Sequence, residues 1–257
     1  MKIMSLFILS LIAPVFSFAG ICGPTDATLF ETYIQKRQEH KLALIAFRAN
    51  VLITGVRIEK EGRRESTHKG QYKGTRVYSH RQGAEYINGK YSGDKMFKSA
   101  PLFSPGPIKI FVEQDEDSNG PLQTHNPNEL SKINLKNYKL MGCEMNAPDQ
   151  DGRLVHRFTI APRVEREGFF EGYLDVDRQT LLTLAEVSTR TILSDKAKGN
   201  LGGRMTEFNF ARLFKIHDDR VTIPYLFKTH GKSRWSWYTD VKIEARFDLI
   251  DYKLGDR

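Results

Sequence analysis

The stretch Gly168-Phe-Phe-Glu-Gly-Tyr-Leu-Asp-Val-Asp177, with its return Leu181-Leu-Thr-Leu-Ala-Glu-Val-Ser-Thr-Arg-Thr-Ile-Leu193, decides the fold class. Between the two runs lies the polar turn Asp177-Arg-Gln-Thr180. Runs rich in Val, Thr, Tyr and Phe on either side of such a turn are a hairpin signal. The pattern continues outward. A Gly-rich break at Lys198-Gly-Asn-Leu-Gly-Gly203 leads into a run from Met205 to Ile216. His217-Asp-Asp-Arg220 turns that run into Val221 to Thr229, and His230-Gly-Lys-Ser233 turns it again into Arg234 to Leu254. Strands this long and this numerous predict a large curved antiparallel sheet or a barrel, a mostly β chain, rather than a small sandwich. No catalytic constellation stands on them, so the expectation is a binding protein and not an enzyme.

The N-terminal end reads differently. Lys2 is a minimal basic region, Ile3 to Phe18 is apolar, and Ser17-Phe-Ala19 fits the small-x-small rule of a cleavage site. Residues 1–19 are therefore read as a cleaved signal peptide and residues 20–257 as a single domain. The apolar run is shorter than the roughly 17–25 residues of a spanning helix. Cys22 follows the apolar run as a lipidated cysteine would, but that processing is similar to a pattern with Gly, Ala or Ser just before the cysteine. Ile21 stands there, so a lipid-anchored form is not expected. An exported protein is.

Removing the signal removes Lys2 and no acid, so the formal charge falls from +8 to +7. The remaining chain of about 240 residues suits one large domain, with no Pro/Ser-rich linker and no internal repeat. Mixed-sign runs such as Lys60-Glu-Gly-Arg-Arg-Glu65 read as solvated strand ends. The mild basic excess reads either as plain solubility or as attraction to anionic lipid or polymer surfaces. Without a basic helix or an aromatic-basic platform, nucleic acid is not an expected partner. A monomer is expected.

One helix is compelling. Thr28-Leu-Phe-Glu31 has capping-box spacing, and Leu29, Phe30, Tyr33, Ile34 and Arg37 share a helical face, which predicts a helix from Thr28 to about Lys41. The period then changes to two: Phe47, Ala49, Val51 and Ile53 alternate with Arg48, Asn50, Leu52 and Thr54. Past Gly55 the apolar set moves to Val56 and Ile58, which predicts a bulge at Gly55. Shorter strands are expected at Arg64 to Lys69, Gly74 to His80, Glu85 to Ile87, Ile108 to Glu113, Tyr138 to Met145 and Leu154 to Ile160.

A short helix running into Leu44-Ile-Ala-Phe-Arg-Ala-Asn-Val-Leu-Ile-Thr54 resembles the start of the LolA/LolB lipoprotein-carrier fold, which the RseB-type periplasmic regulators share. Three more stretches carry the resemblance to bacterial outer-membrane lipoprotein-sorting proteins. They are Tyr138-Lys-Leu-Met-Gly142 with Asp151-Gly-Arg-Leu-Val-His-Arg-Phe-Thr-Ile-Ala-Pro162, then Phe170 to Thr180, then Arg220-Val-Thr-Ile-Pro-Tyr225. What the resemblance implies is a half-open antiparallel barrel of about eleven strands, capped by helices. Its apolar cavity would hold the acyl chains of a lipid or lipoprotein, for transport or sorting to the outer membrane. The RseB-like alternative is a regulatory module that docks another exported protein. Envelope membrane proteins are further implied partners. In the carriers an inward-pointing Arg helps lock the closed state. Arg48 lies in the comparable strand, but alternation sets it opposite Phe47 and Val51, so the role is not transferred.

Phe47, Val51, Ile53, Phe111, Tyr173 and Val176 are the candidate lining of that cavity, each also a candidate for ordinary core packing. Asp115, Asp117 and Asn119, with Gly120 at the sixth position, match the start of a calcium loop, but Asn126 stands where the bidentate Glu belongs. The scattered histidines have no zinc spacing, no Gly-x-Ser-x-Gly elbow appears, and no cofactor is expected. Cys22 and Cys143 are the only cysteines and hence the only possible intrachain disulfide, which an oxidising envelope favours. The alternative is two free thiols, with Cys143 buried on its strand.

Overall fold

The structure, a computed structural model, describes residues 22–79, 83–94, 133–166, 169–193, 204–234 and 238–255. It opens on helix α1, Pro24–Ala43. Pro24 occupies the first turn, where its missing N–H costs nothing. Asp26 Oδ2 accepts from the Gly23 amide at 2.9 Å. The start is four residues earlier than the Thr28 capping box predicts. Thr28 lies inside the helix, and its hydroxyl donates back to the Pro24 carbonyl at 3.1 Å.

No loop follows the helix. Leu44 is already extended and begins β1, Leu44–Glu61. The chain then runs through β2 (Arg64–Ser79), β3 (Gly83–Gly93), β4 (Tyr138–Pro148), β5 (Leu154–Pro162), β6 (Phe170–Val176), β7 (Thr183–Thr191), β8 (Arg204–His217), β9 (Val221–Arg234) and β10 (Tyr238–Leu254). These ten strands make one antiparallel sheet in the order β3-β2-β1-β10-β9-β8-β7-β6-β5-β4. Every neighbour is adjacent in sequence except at one place, where β1 pairs with β10 along Leu44↔Leu254 to Lys60↔Tyr238. Among the described residues the sheet is not closed, and β3 and β4 are its two edges. The expected strand at Ile108 to Glu113, the Gly-rich segment Lys198 to Gly203 and the expected signal peptide lie outside the described residues.

Three local expectations are corrected. Gly55 is not a bulge: the register runs unbroken through Gly55↔Ile243 and Gly55↔Gly70. The apolar residues change faces there because both sides of the sheet are half exposed beyond the core. The irregularities fall instead at Ile45 and Ile250, the unmatched residues at the Leu44/Ala46 and Arg48/Ala49 shifts. Residues 230–233 are not a turn. They lie inside β9, whose His230↔Lys242 and Ser233↔Thr239 pairs face β10 while β8 pairs on the other side. A strand between two neighbours satisfies its backbone groups twice over, which overrides local turn propensity. The two short strands expected at Arg64 and Gly74 are one strand, β2.

Other turns follow local chemistry. Asp177 Oδ1 accepts from the Gln179 amide (3.1 Å), the Thr180 amide (2.8 Å) and the Thr180 hydroxyl (2.8 Å), which fixes the β6–β7 turn. Asp218 and Asp219, at φ 53° and 51°, turn β8 into β9, a conformation that Asp tolerates better than most residues. At Gly172 the strands β6 and β7 come so close that a Cβ would collide with the Val187 carbonyl oxygen, so only glycine fits.

Candidate ligand-binding face

Alternation gives the sheet two unlike faces. On β1 the inward residues Phe47, Ala49, Val51 and Ile53 are 1–4% exposed, and on β10 Val241, Ile243, Ala245 and Phe247 are 2–8% exposed. Phe208, Phe210, Ile223 and Phe227 continue the same cluster across β8 and β9, and Phe158, Ile160, Phe170, Leu174 and Val176 across β5 and β6. This inner face carries most of the apolar burial that holds the fold.

Helix α1 covers one end of it. Of the face legible in the sequence, Phe30, Tyr33, Ile34 and Arg37 are buried and Leu29 is partly buried. Phe30 and Tyr33 meet the Phe158 ring at centroid distances of 5.2 and 5.9 Å. Cys22, just before the helix, is bonded to Cys143 on β4, with Cα atoms 5.2 Å apart. The bridge ties the helix start to an edge strand across 121 residues of sequence.

Beneath the helix lies a buried ionic network. Arg37 pairs with Glu186 Oε1 on β7, and Arg212 on β8 donates to Glu186 Oε2 at 3.1 Å. Arg37 also donates to Thr183 Oγ1 at 2.8 Å and to the Tyr33 hydroxyl at 3.2 Å. Burial pushes the Tyr33 phenol above its ordinary pKa. The second arginine lies against rings, Arg212 Cζ being 4.8 Å from the Phe210 centroid and 5.9 Å from that of Phe227.

The other end of the inner face, on β1 to β3, is built of aromatics. Tyr72, Tyr78, Tyr86 and Tyr91 are partly buried against the core. Tyr78 stacks on Phe47 at 5.2 Å, and Tyr72 meets Tyr86 edge-on at 6.3 Å. Burial raises the pKa values of Tyr72 and Tyr91. Among them sits Arg76, 9% exposed, its Cζ 5.4 Å from the Phe47 centroid, 5.5 Å from Phe247 and 6.0 Å from Tyr86. Alternation could have found it: Tyr72, Gly74, Arg76 and Tyr78 share one face of β2.

The sequence-derived candidates divide. Phe47, Val51 and Ile53 form one inward stripe on β1, and Val176 lies in the same cluster at 0% exposure. Tyr173 is turned away. It pairs with Thr159 and Val187 on the outer face, its ring 4.6 Å below the Arg157 guanidinium. Leu174 is the inward residue there. Phe111 and the calcium candidates Asp115, Asp117 and Asn119 lie outside the described residues. Arg48 is exposed, opposite Phe47 and Val51 as alternation predicts.

The outer face carries a groove of about 480 Å³ that crosses β7, β8, β9, β10 and β1. Its walls are Thr54 and Val56, Lys242 and Glu244, Lys228 and His230, Asn209 and Ala211, and Val187. These alternate with the core residues Gly55, Ile243, Thr229, Phe210 and Ser188, so the groove lies on the side away from the apolar cluster. It is not the cavity that the sequence led us to expect.

No family model matches the chain, and no curated protein matches it. The chain is similar to several solved structures. One is an outer membrane lipoprotein-sorting protein domain from Vibrio parahaemolyticus, at 8% identity and a TM-score of 0.33, covering 87% of this chain and 91% of that one. Another is a LolA superfamily protein from Nitrosomonas europaea, at 11% identity and a TM-score of 0.31, covering 88% and 93%. A third is the MucA/MucB complex of Pseudomonas aeruginosa, at 10% identity and a TM-score of 0.24, covering 84% and 93%.

Proposed function

We propose that this chain is an exported binding protein that holds the acyl chains of a lipid or lipoprotein against the inner face of its open sheet, in transport or sorting toward the outer membrane. The observation that carries the reading is a connected apolar cluster on one face of a ten-stranded sheet that, among the described residues, stops short of closure at β3 and β4. A curved sheet with one apolar face either fills its interior with side chains or admits a ligand there. The sequence resemblance to lipoprotein carriers points the same way.

Burying acyl carbons contributes about 0.8 kcal/mol per CH₂, so affinity climbs with chain length until the space is full. Displacement of a fluorescent fatty acid over a chain-length series measures this. Val51→Asp on the inner stripe weakens binding far more than Leu52→Asp on the opposite face, because an unpaired ion is costly to bury. Circular dichroism of both variants checks that each still folds. A response flat in chain length, or equal losses in the two variants, rejects the reading.

A second reading is an interaction module that docks another exported protein. The groove across five strands of the outer face favours it, since concave apolar surfaces of some hundreds of cubic ångströms are where ligands seat. Native mass spectrometry of protein purified from its own cell separates the two. A co-purifying lipid supports the carrier and a stoichiometric protein supports the module.

A further inference from the structure

Resting on the carrier reading, the geometry points to Arg76 as an anion site on the inner face, so that the ligand is an anionic amphiphile whose carboxylate or phosphate head pairs with this guanidinium. Arg76 is 91% removed from solvent, since its residue exposure is 9%. Its Nε is buried and makes no hydrogen bond. Among the described residues no carboxylate forms an ion pair with it. What surrounds it is the rings of Phe47, Phe247 and Tyr86 at 5.4–6.0 Å. Rings attract a cation but accept none of its five N–H donors in the plane of the guanidinium. A buried arginine with rings above it and no acceptor beside it has unused donors in a planar fork, and carboxylate and phosphate oxygens match that fork.

The placement fits an amphiphile better than a free ion. Arg76 pairs in register with Ala49 on β1, between Phe47 and Val51 and two residues from each. A head group on Arg76 therefore sits alongside the stripe proposed to hold the chain. A ligand that supplies both charge and apolar length satisfies the arginine and the stripe together.

The test compares palmitate with methyl palmitate by displacement of a fluorescent acyl probe, in the wild type and in the Arg76→Gln, Arg76→Lys and Arg48→Gln variants. We expect the wild type to prefer the acid by about 10- to 100-fold, the range of a charge-assisted hydrogen-bonded pair. Arg76→Gln brings the acid-to-ester ratio near one while ester affinity stays. Arg76→Lys keeps part of the preference, and the outward Arg48→Gln keeps all of it. A wild type that does not distinguish acid from ester, or an Arg76→Gln variant that still does, overturns the site.

A second arm follows the Arg76 Nε–H resonance by ¹⁵N NMR during titration with inorganic phosphate and, separately, palmitate. A shift with palmitate and none with phosphate identifies a lipid head site. A saturable shift with phosphate alone identifies a free-anion site. If neither palmitate nor its ester binds, the carrier reading fails, and the anion site is then judged on phosphate: a saturable shift supports it and no shift overturns it.

Discussion

Two buried arginines, Arg37 on the covering helix and Arg76 on β2, border one apolar face and meet opposite environments. Under the helix, Arg37 is held by the Glu186 carboxylate, the Thr183 hydroxyl and the Tyr33 hydroxyl, and Arg212 takes the second oxygen of the same carboxylate. On β2, Arg76 has three rings around it and an Nε with no acceptor. A buried ion is tolerated where its donors are satisfied and is strained for partners where they are not. The first arrangement is finished by the protein's own residues and reads as architecture that seats the helix. The second leaves donors free on a face otherwise suited to hydrocarbon. Residue type and burial are alike, and it is the acceptors that separate scaffold from site.

The sharpest way to break this contrast is to remove the shared acceptor. Glu186→Leu removes the carboxylate that Arg37 and Arg212 share, and we expect a loss of about 3–5 kcal/mol by urea unfolding. A loss below about 1 kcal/mol would mean the network is not structural. Removing the bridge that anchors the helix start comes next. Cys22→Ser with Cys143→Ser should cost about 2–4 kcal/mol, read as a lowered denaturation midpoint with a steeper slope, because the unfolded chain without its 121-residue cross-link exposes more surface. Arg76→Met should do the reverse of Glu186→Leu. In the absence of ligand its stability stays within about 1 kcal/mol of wild type, or rises, because an unpaired buried cation is replaced by an apolar chain. A loss as large as that of Glu186→Leu would show that Arg76 too is satisfied within the fold.

The smallest expected effect is on pH. Burial holds the His40, His156 and His217 pKa values below the ordinary 6.5. The unfolded chain then binds more protons than the folded one, so stability is full above about pH 6.5 and declines as the pH falls through the lowered folded values. His156→Gln should flatten that decline in denaturation midpoints measured from pH 7.5 to pH 5. An unchanged slope would remove His156 from the account.

Much of the fold was legible because it rests on local signals. The period change at Phe47, the helical face through Phe30, Tyr33 and Arg37, and the turn residues at Asp177 and Asp218 each act within a few positions. What was not legible depends on partners distant in sequence. Nothing near Glu186 announces that Arg37, 149 residues away, will take its carboxylate. Nor does the stretch His230 to Ser233 reveal that strands on both sides will hold it extended. Tyr173 was misplaced for a simpler reason. It stands three residues from Val176, and in a strand such a pair falls on opposite faces. Arg76 was within reach of the same rule, since it alternates with Tyr72 and Tyr78, but its burial among rings depends on β10.

That dependence has a consequence in time. Phe47 comes from β1 and Phe247 from β10, and the two meet across Arg76 only because the first and last strands pair. Hairpins such as β4–β5 and β8–β9 close short loops and form early, whereas the β1–β10 pairing spans nearly the whole chain and must wait. The aromatic box is therefore completed last, once the C-terminal strand is in place. A chain cut before β10 can build most of its hairpins and still have no place to put an anion.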